Sequence, residues 1–341
     1  MDSSIQARLQ DLGDLELGLL VSLVAGEHCI FATAPQTVKQ LEQEIRLTCT
    51  QTFGLQPVSI DCSKKTTVDE FNDGLLVQVE DSFDDTRDRH DVVNRPVASV
   101  NFSAMRGPAS RLGSVVDTLE DRRIADVVIA TGLDAADEAV QIQAFELLRS
   151  RRIFTRSSMH VAPKDLLFIA ILSKPETRLN RHLNDTFCMY HFHGEDDGLP
   201  HLDGSVMKTV QPTFHPADIK LFKDQTDKVL LSAEIAQYLH NVVVFMRNSR
   251  YIKGGVTATA TRQLRILSRA LAPLHGMDYV PPSLVALAAR KVYPHRLVLA
   301  TAENEKSLLW GSDPKAIKEL LDGVTVEDAI EEVLASIEAP L

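Results

Sequence analysis

The sequence lacks most of the features that mark secreted and membrane proteins. It has four cysteines in 341 residues, widely spaced and without a C-x-x-C pair, and this pattern favours reduced thiols over a disulfide framework. The amino terminus has no basic segment followed by an apolar one, and no apolar run approaches the roughly 20 residues of a membrane span. We therefore expect an intracellular protein, cytoplasmic or nuclear, that does not contact a membrane.

Positive charge is also scarce. The chain has 36 lysines and arginines against 47 aspartates and glutamates, a formal net charge of −11, and no basic stripe. This balance disfavours binding to nucleic acid. The acidic excess lies in Glu80–Asp91 and near the carboxyl terminus, and both segments are typical of solvated surface.

The first two hundred residues alternate between buried strands and helices. Strands are predicted at Cys29–Ala34, Pro57–Cys62, Ala125–Ala130, Leu166–Leu172 and Phe187–His193. Helices are predicted at Ile5–Ala25, Val38–Phe53 and Asp134–Arg152. This alternation indicates a parallel α/β sheet covered by helices on both faces, an αβα sandwich, with an acidic insertion at about 80–95.

After about residue 214 the pattern becomes helical, with no strand predicted between the helices. These helices are Ser232–Ser249, Ala258–His275, Pro282–Tyr293, Pro314–Leu321 and Val326–Ile337. The sequence therefore predicts an α/β core at 1–213 and a helical second domain at 214–341. Within the second domain, Trp310 and the neighbouring Leu308 and Leu309 are expected to form either part of its core or a docking patch.

One loop has the shape of a phosphate-binding loop without its chemistry. The motif G-x-x-x-x-G-K-[S/T] uses glycines to free backbone N–H groups, a lysine for the phosphates and a hydroxyl for magnesium. In Gly26–Gln40 (GEHCIFATAPQTVKQ) the corresponding residues are Thr33, Val38, Lys39 and Gln40, so only the lysine remains. A β-branched residue at positive φ costs roughly 1–2 kcal/mol, so we expect another loop conformation.

The helical domain carries a specific likeness to a known family. Arg269–Leu297 (RALAPLHGMDYVPPSLVALAARKVYPHRL) is similar to a stretch in which a helix leads to G-R-D-Y-V-T-P, a second helix and H-R-L. Asp322–Leu341 is similar to the tail of the same family, and Glu176–Phe187 and Val128–Ile153 to segments of its core. The chain thus resembles the AAA+ ATPases of the MoxR and magnesium-chelatase-subunit type. The resemblance implies a P-loop NTPase core, an all-helical lid, and ATP or ADP with magnesium as cofactor.

The resemblance also indicates where the catalytic positions fall, and their residue types differ from those that ATP hydrolysis needs. The acidic pair after the third strand falls at Thr131 and Gly132, and the polar sensor of the fourth strand falls at Lys174. The arginine that one subunit inserts into its neighbour falls at Thr186, and the lid arginine falls at Thr259.

Four residues lie close enough to these positions to be considered as replacements. They are Asp134, Arg178, Arg181 and Arg262, and each would need a different geometry. Because the parts of such a site act by jointly positioning one transition state, several losses together predict a pseudo-ATPase with weak or no nucleotide binding. No residue is assigned as catalytic.

Three functions remain open. The first is a non-hydrolysing AAA+ protein that acts as a scaffold or regulatory subunit with protein partners, as a homo- or hetero-oligomer or as a monomer. The second is a working AAA+ ATPase that remodels a partner or assists metal insertion as magnesium chelatase does. The third is a metal-binding module at His191 and His193, which face the same side of a predicted strand. We favour the first and assign no metal.

Overall fold

The structure, a computed structural model, describes residues 3–78, 122–156, 158–173, 178–204 and 212–340. The strands in chain order are β1 His28–Ala32, β2 Pro57–Asp61, β3 Leu76–Gln78, β4 Arg122–Ile124, β5 Val127–Thr131, β6 Arg152–Phe154, β7 Met159–Val161, β8 Leu167–Leu172, β9 Phe187–Phe192, β10 Ile252–Gly254 and β11 Val298–Leu299. The acidic insertion predicted at about 80–95 lies outside the described residues.

Helices connect these strands and make up most of the second half of the chain. In chain order they are α1 Ser3–Gln10, α2 Asp14–Ala25, α3 Val38–Leu47, α4 Val68–Gly74, α5 Glu138–Ser150, α6 Arg181–Asn184, α7 Pro216–Thr226, α8 Ala233–Asn248, α9 Ala258–Leu274, α10 Pro282–Val292, α11 Pro314–Leu321 and α12 Val326–Ser336. A π-helical turn, Thr48–Thr52, continues α3, and 3₁₀ turns cover Glu195–Asp197 and Lys306–Trp310.

Five strands form one parallel sheet in the order β2-β5-β8-β1-β9. After β1 the chain crosses to the far edge at β2 and returns through β5 and β8, and β9 then pairs on the other side of β1. The carboxyl end of β1 therefore lies where the strand order reverses. In open α/β sheets this is the position at which ligands bind.

Helices cover both faces of the sheet, because successive side chains of a strand point to opposite sides. On β1, Cys29 and Phe31 are fully buried in the core that includes α2 and α3. Ile30 and Ala32 are buried in the opposite core, which includes Phe71 of α4 and the apolar side of α5. Burial on both sides explains why these strands are continuous apolar runs in the sequence.

The second half of the chain packs around its own apolar core. The fully buried Val242 of α8, Leu264 of α9 and Tyr293 after α10 meet Ile330 of α12 in this core. The predicted fold class, a parallel α/β core followed by a helical lid, is confirmed. We call the part from α8 to α12 the lid.

The amino-terminal helix differs from its prediction. The apolar spacing in Ile5–Ala25 predicts one helix, but the chain forms α1 and α2 with a break at residues 11–13. Gly13 takes an extended conformation, and the Glu16 carboxylate accepts its N–H at 3.0 Å. This local hydrogen bond starts a new helix, whereas the apolar periodicity continues through the break.

The prediction that no strand separates the lid helices is wrong. β10 and β11 pair antiparallel and close the lid beside the core. They are three and two residues long, too short to give a period-two pattern in the sequence. Gly255 permits the close approach, because its φ is +104° and a Cβ there would lie 2.1 Å from the carbonyl oxygen of Arg296.

Helix α7 was also missed by the sequence analysis. Its residues Ile219 and Phe222 are buried in the same core as Phe31 of β1, and α7 packs against both α2 and α9. The Arg8 guanidinium pairs with Asp218 at 3.2 Å and ties α1 to α7. A boundary between two domains near residue 214 stays a prediction, since α7 contacts both parts.

A buried polar network joins the lid to the core. The side-chain amide of Gln263 on α9 donates to the Glu27 carboxylate at 2.8 Å and to the Thr186 carbonyl at 3.1 Å. The guanidinium of Arg296 donates to the side-chain oxygen of Gln263, to the Phe187 carbonyl and, at 3.1 Å, to the carbonyl of Asp185. Gln263 is fully buried, so these bonds are shielded from water.

No helix in the described ranges combines the length and the apolar character that crossing a bilayer requires.

The buried His28 predicts acid sensitivity of the fold. Its Nδ1 accepts the backbone N–H of Phe168 at 3.2 Å, and burial, aided by the charge of Arg151, lowers its pKa from 6.5 to about 3. Between about pH 6.5 and pH 3 the His28 imidazole is therefore protonated in the unfolded chain and neutral in the folded one. The free energy of unfolding should fall as the pH drops below about 6.5. At pH 4 the loss from this residue is about 3 kcal/mol.

Urea unfolding between pH 7 and pH 4 checks this prediction. In His28→Asn, which keeps an acceptor but does not titrate, the pH dependence should be flatter than in the native chain. The exposed His240 on α8 provides the control, because His240→Asn should keep the native slope. An unchanged slope in His28→Asn would contradict the prediction.

Candidate nucleotide site

The loop between β1 and α3 is a tight turn in which two backbone N–H groups already have hydrogen-bond acceptors in the protein. The N–H of Thr33 donates to the Leu172 carbonyl at 3.1 Å, and the N–H of Thr37 donates to the Ala34 carbonyl at 3.1 Å. The hydroxyl oxygens of Thr33 and Thr37 lie 2.7 Å apart. Among described non-glycine residues only Arg151 has positive φ, so this loop has the backbone of an ordinary turn rather than of a glycine-rich cradle.

The three motif residues that follow lie on the first turn of α3. Val38 is half-buried, while Lys39 and Gln40 are exposed. The Lys39 ammonium forms no ion pair or hydrogen bond within the described residues and stands on the solvent side of the helix. The lysine is thus available to an anion but is not held over the loop.

An acidic turn contacts the same loop. The side-chain amide of Gln36 donates to the Glu195 carboxylate, which lies in the turn after β9. That turn, Glu195–Asp197, consists of three acidic residues. Carboxylates beside a phosphate position oppose binding of the anion, and Lys39 is the one basic residue of the segment 33–40.

The end of β5 shows why an acidic pair is missing there. The Thr131 hydroxyl donates to Asp61 at 3.1 Å, and the Thr131 carbonyl accepts the N–H of Cys62 at 2.8 Å. Gly132 follows with φ +62°, and a Cβ at this position would lie 2.4 Å from the Cys62 carbonyl oxygen. Any side chain at residue 132, including a catalytic carboxylate, would collide with backbone unless β2 or the turn moved.

Two aspartates near β5 occupy different ends of the strand. Asp134 is half-buried in the turn after β5, on the edge of the sheet where the β1 loop also lies. Asp126 precedes β5 and pairs with Arg123 at 2.9 Å on the opposite edge. Lys174 lies outside the described residues.

Thr186 and Thr259 stand at the two positions where the family resemblance expects arginines. Both lie at the amino edge of the sheet, away from Lys39 of the same chain. Thr186 precedes β9, and its hydroxyl donates to the Leu183 carbonyl at 2.6 Å. Thr259 is half-buried in the first turn of α9, and Arg262 on the same helix approaches Glu27, just before β1, at 3.5 Å. A strand of five residues separates the two edges by about 15 Å, so the structure does not bring Thr186 or Thr259 to the β1 loop.

Arg178 and Arg181 differ in their surroundings. The guanidinium of Arg178 donates to the carbonyls of His295, at 3.4 Å, and Leu297, so it is engaged with the lid. Burial lowers the pKa of Arg178. Arg181 is exposed on α6.

His191 in β9 and His193 just after it do not form a metal site with other described residues. The Nδ1 of His191 lies 3.0 Å from the Lys291 ammonium of α10, and the rings of His191 and His193 are 6.4 Å apart. Burial, with the charges of Lys291 and His193, lowers the pKa of His191 to about 4. His201, in the same stretch, is buried with its Nδ1 2.8 Å from Glu44. Within the described ranges no three metal-capable side chains converge, so the metal-binding alternative has no ligand set.

A cleft of about 630 Å³ opens between α2, α9, α10 and β9. It adjoins the β1 loop, because the ring of His191 packs edge-on against Phe31, two residues before Thr33, at 5.6 Å. Six leucines line it, and Lys291 and Asp14 are its charged groups. The sequence analysis missed Lys291, which with Arg290 forms the basic end of α10.

Comparison with known proteins agrees with this architecture. Residues 244–319 match the family described as the AAA lid domain. A crystal structure from Cytophaga hutchinsonii, of a protein to which ATPase activity is attributed, superposes with a TM-score of 0.62 at 15% identity and covers 95% of this chain and 88% of that one. A full-length MCM homolog from Methanopyrus kandleri superposes at 14% identity with a TM-score of 0.46, over 83% of this chain and 56% of that one.

A partial sequence match connects the chain to a yeast protein. Maintenance of telomere capping protein 2 of Saccharomyces cerevisiae is 30% identical over 99 residues, which is 28% of this chain and 28% of the yeast protein. The match thus spans little more than a quarter of the yeast protein. The lid match and the fold together support an AAA+ architecture.

The contact at Gly132 generates a prediction about stability. Gly132→Ala should destabilise the fold by about 3 kcal/mol, since it adds a backbone collision to the cost of a left-handed conformation. Gly26 is the matched control, because its φ is +65° and a Cβ there would have nothing within 4 Å, so Gly26→Ala should cost only about 1 kcal/mol. Urea unfolding of both variants measures the difference, and equal losses would contradict the role assigned to the Cys62 carbonyl.

Proposed function

We propose that this chain is a catalytically degenerate AAA+ protein of the MoxR or magnesium-chelatase type that acts as a scaffold or regulatory subunit, with weak or no ATP binding. The observation that carries the proposal is the collision between any side chain at Gly132 and the Cys62 carbonyl. ATP hydrolysis in this class needs carboxylates at the end of that strand to hold magnesium and to orient water. The backbone leaves no room for the carboxylate at residue 132. At the other position of the pair, the Thr131 hydroxyl donates a hydrogen bond to Asp61.

The loop after β1 supports the same proposal. Its turn conformation differs from a glycine-rich cradle, and the acidic turn Glu195–Asp197 is hydrogen-bonded to it through Gln36. Electrostatic stabilisation of a phosphoryl transfer requires positive charge at this position. Lys39 is the one basic residue of the segment 33–40, and the Glu195 carboxylate contacts that segment.

The junction between core and lid favours a scaffold over a motor. In AAA+ motors the phosphate state is converted into rotation between the two parts. Here the buried Gln263 and Arg296 bond the lid to the strand ends of the core. Rotation would break hydrogen bonds of a buried cation, which is costly without water to replace them.

The lid also presents a candidate surface for partner proteins. Leu309 and Trp310 are 87% and 88% exposed, so they do not belong to the lid core. Of the two expectations for these residues, the docking patch therefore remains. Exposed aromatic and leucine side chains are typical of protein-protein contacts.

Measurement of ATP turnover tests the proposal. Purified protein with magnesium should release phosphate at less than about 0.001 s⁻¹, far below ordinary enzymes. A fluorescent ATP analogue should show no saturable binding below about 1 mM at the loop after β1, so Lys39→Ala should change neither its binding nor the turnover.

Lys315, an exposed lysine of α11, provides the matched control as Lys315→Ala. Magnesium-dependent turnover that is lost in Lys39→Ala and kept in Lys315→Ala would overturn the proposal. That outcome would instead identify an active AAA+ ATPase, with Asp134 as the first residue to test for a rescued magnesium ligand.

Trp310 offers a direct readout of docking, because it is the only tryptophan in the sequence. If the patch binds a partner or a second copy, its emission should shift to the blue and its quenching by acrylamide should fall as the complex forms. Light scattering on the same samples gives the mass, and Leu309→Ser should weaken association. Association without any change in Trp310 emission would place the interface elsewhere.

A further inference from the structure

A second cavity, of about 770 Å³, lies between α6 and the antiparallel strand pair β10–β11 of the lid. Four cationic side chains line it, Arg178, Arg181, Lys253 and Arg296, against one carboxylate, Asp185. This is an unusual concentration of positive charge in a chain whose net charge is −11. We call it the basic cavity.

The basic cavity is separate from the loop after β1. Asp185 immediately precedes the region where β9 begins, at the amino edge of the sheet, whereas Thr33 follows the carboxyl end of β1. Strands of five and six residues put about 15–20 Å between these edges. Lys39 is therefore outside the basic cavity.

Most of the positive charge in the cavity has no acidic partner. Arg181 and Lys253 are exposed and have no ion pair or hydrogen bond to any described residue. Within the described ranges Arg178 donates to backbone carbonyls of the lid and to no carboxylate. Asp185 lies 3.7 Å from the Arg296 guanidinium and also accepts a hydrogen bond from the Thr257 hydroxyl at 2.6 Å.

Arg296 adds a buried cation to the floor of the cavity. The residue is 4% exposed, and its Nη1 has no hydrogen-bond partner in the described part of the chain. Its Nη2 donates to the Asp185 and Phe187 carbonyls and to Gln263. A buried charge with an unused donor is stabilised by a nearby anion, since its desolvation is otherwise only partly offset.

The wall of the cavity is held in place by backbone. The tight approach of Gly255 to the Arg296 carbonyl keeps β10, and with it Lys253, beside the segment that leads into β11. Any residue other than glycine would push β10 away from that segment, because a Cβ would be 2.1 Å from the carbonyl oxygen. The cationic groups are thus presented by fixed elements of both core and lid.

We propose that the basic cavity binds a small soluble anion that carries two or more phosphate groups. The volume suits a small molecule rather than a polymer, and arginine forks with a lysine point charge match phosphate oxygens. The absence of a basic stripe in the sequence argues against nucleic acid as the occupant. A ligand here would bridge α6 and the lid and stabilise their contact.

Calorimetric titration of the full chain with inorganic triphosphate, without magnesium and at low salt, tests the proposal. One saturable site is expected, with Kd of about 10–100 μM. Arg181→Gln and Lys253→Gln should each weaken binding about tenfold, because each removes a charge-assisted hydrogen bond. Arg181→Lys and Lys253→Arg keep the charge and should stay within about threefold of the native affinity. All four changes are at exposed positions, so the fold should be retained.

Two surface lysines serve as controls. Lys39→Gln, at the loop after β1, and Lys315→Gln, on α11, should leave the affinity unchanged. The proposal is overturned by the absence of saturable binding up to about 10 mM. It is equally overturned if Lys39→Gln abolishes binding while Arg181→Gln does not. It is also overturned if Arg181→Gln and Lys253→Gln weaken binding no more than the two control variants do.

Discussion

The position of the lid depends on one buried guanidinium. Arg296 reaches from the segment between α10 and β11 to the backbone just before β9, and Gln263 completes the junction by contacting Glu27 before β1. A cation at this depth must have oxygen partners, because an unpaired buried charge costs several kcal/mol. The docking of lid on core in this structure provides those carbonyls. Arg296 also lines the basic cavity, so the cavity lies at the same junction.

A second constraint acts at the opposite edge of the sheet. The end of β5 packs so closely on β2 that residue 132 has room for glycine alone. Strand order, helix packing and the lid form around this point all the same, since they depend on apolar burial rather than on the residues at the end of β5. Fold and catalytic capacity are therefore separable in this chain, and our proposal of a scaffold depends on that separation.

Positive charge has a different distribution from the one expected of a nucleotide-hydrolysing protein. Acidic residues of the turn after β9 adjoin the loop in which phosphates would bind, while unpaired cations gather at the junction of α6 and lid. Under our proposal, an anion is attracted to the amino edge of the sheet. The family resemblance places the arginine position that contacts a neighbouring subunit, Thr186, at this same edge. The acidic turn is continuous in sequence, but its contact with Gln36 and the grouping of Arg181 with Lys253 join residues far apart in the chain and are visible only in three dimensions.

The sequence by itself determined the five strands of the parallel sheet, most helices and the order of core and lid, because apolar periodicity is a local property that burial on one or both faces imposes on consecutive residues. It also predicted the loss of phosphate-loop glycines, which is a matter of residue type at Thr33 and Val38. It did not predict the break before Asp14 or the short β10–β11 pair, whose signals are a single hydrogen bond and very short segments. It also missed α7, an 11-residue helix. Only the tertiary structure decided that His191 meets Lys291, that Cys62 blocks residue 132 and that Arg181 and Lys253 share a cavity. Each of these contacts joins residues far apart in the chain, so its energy depends on the packed fold and leaves no pattern in the neighbouring sequence.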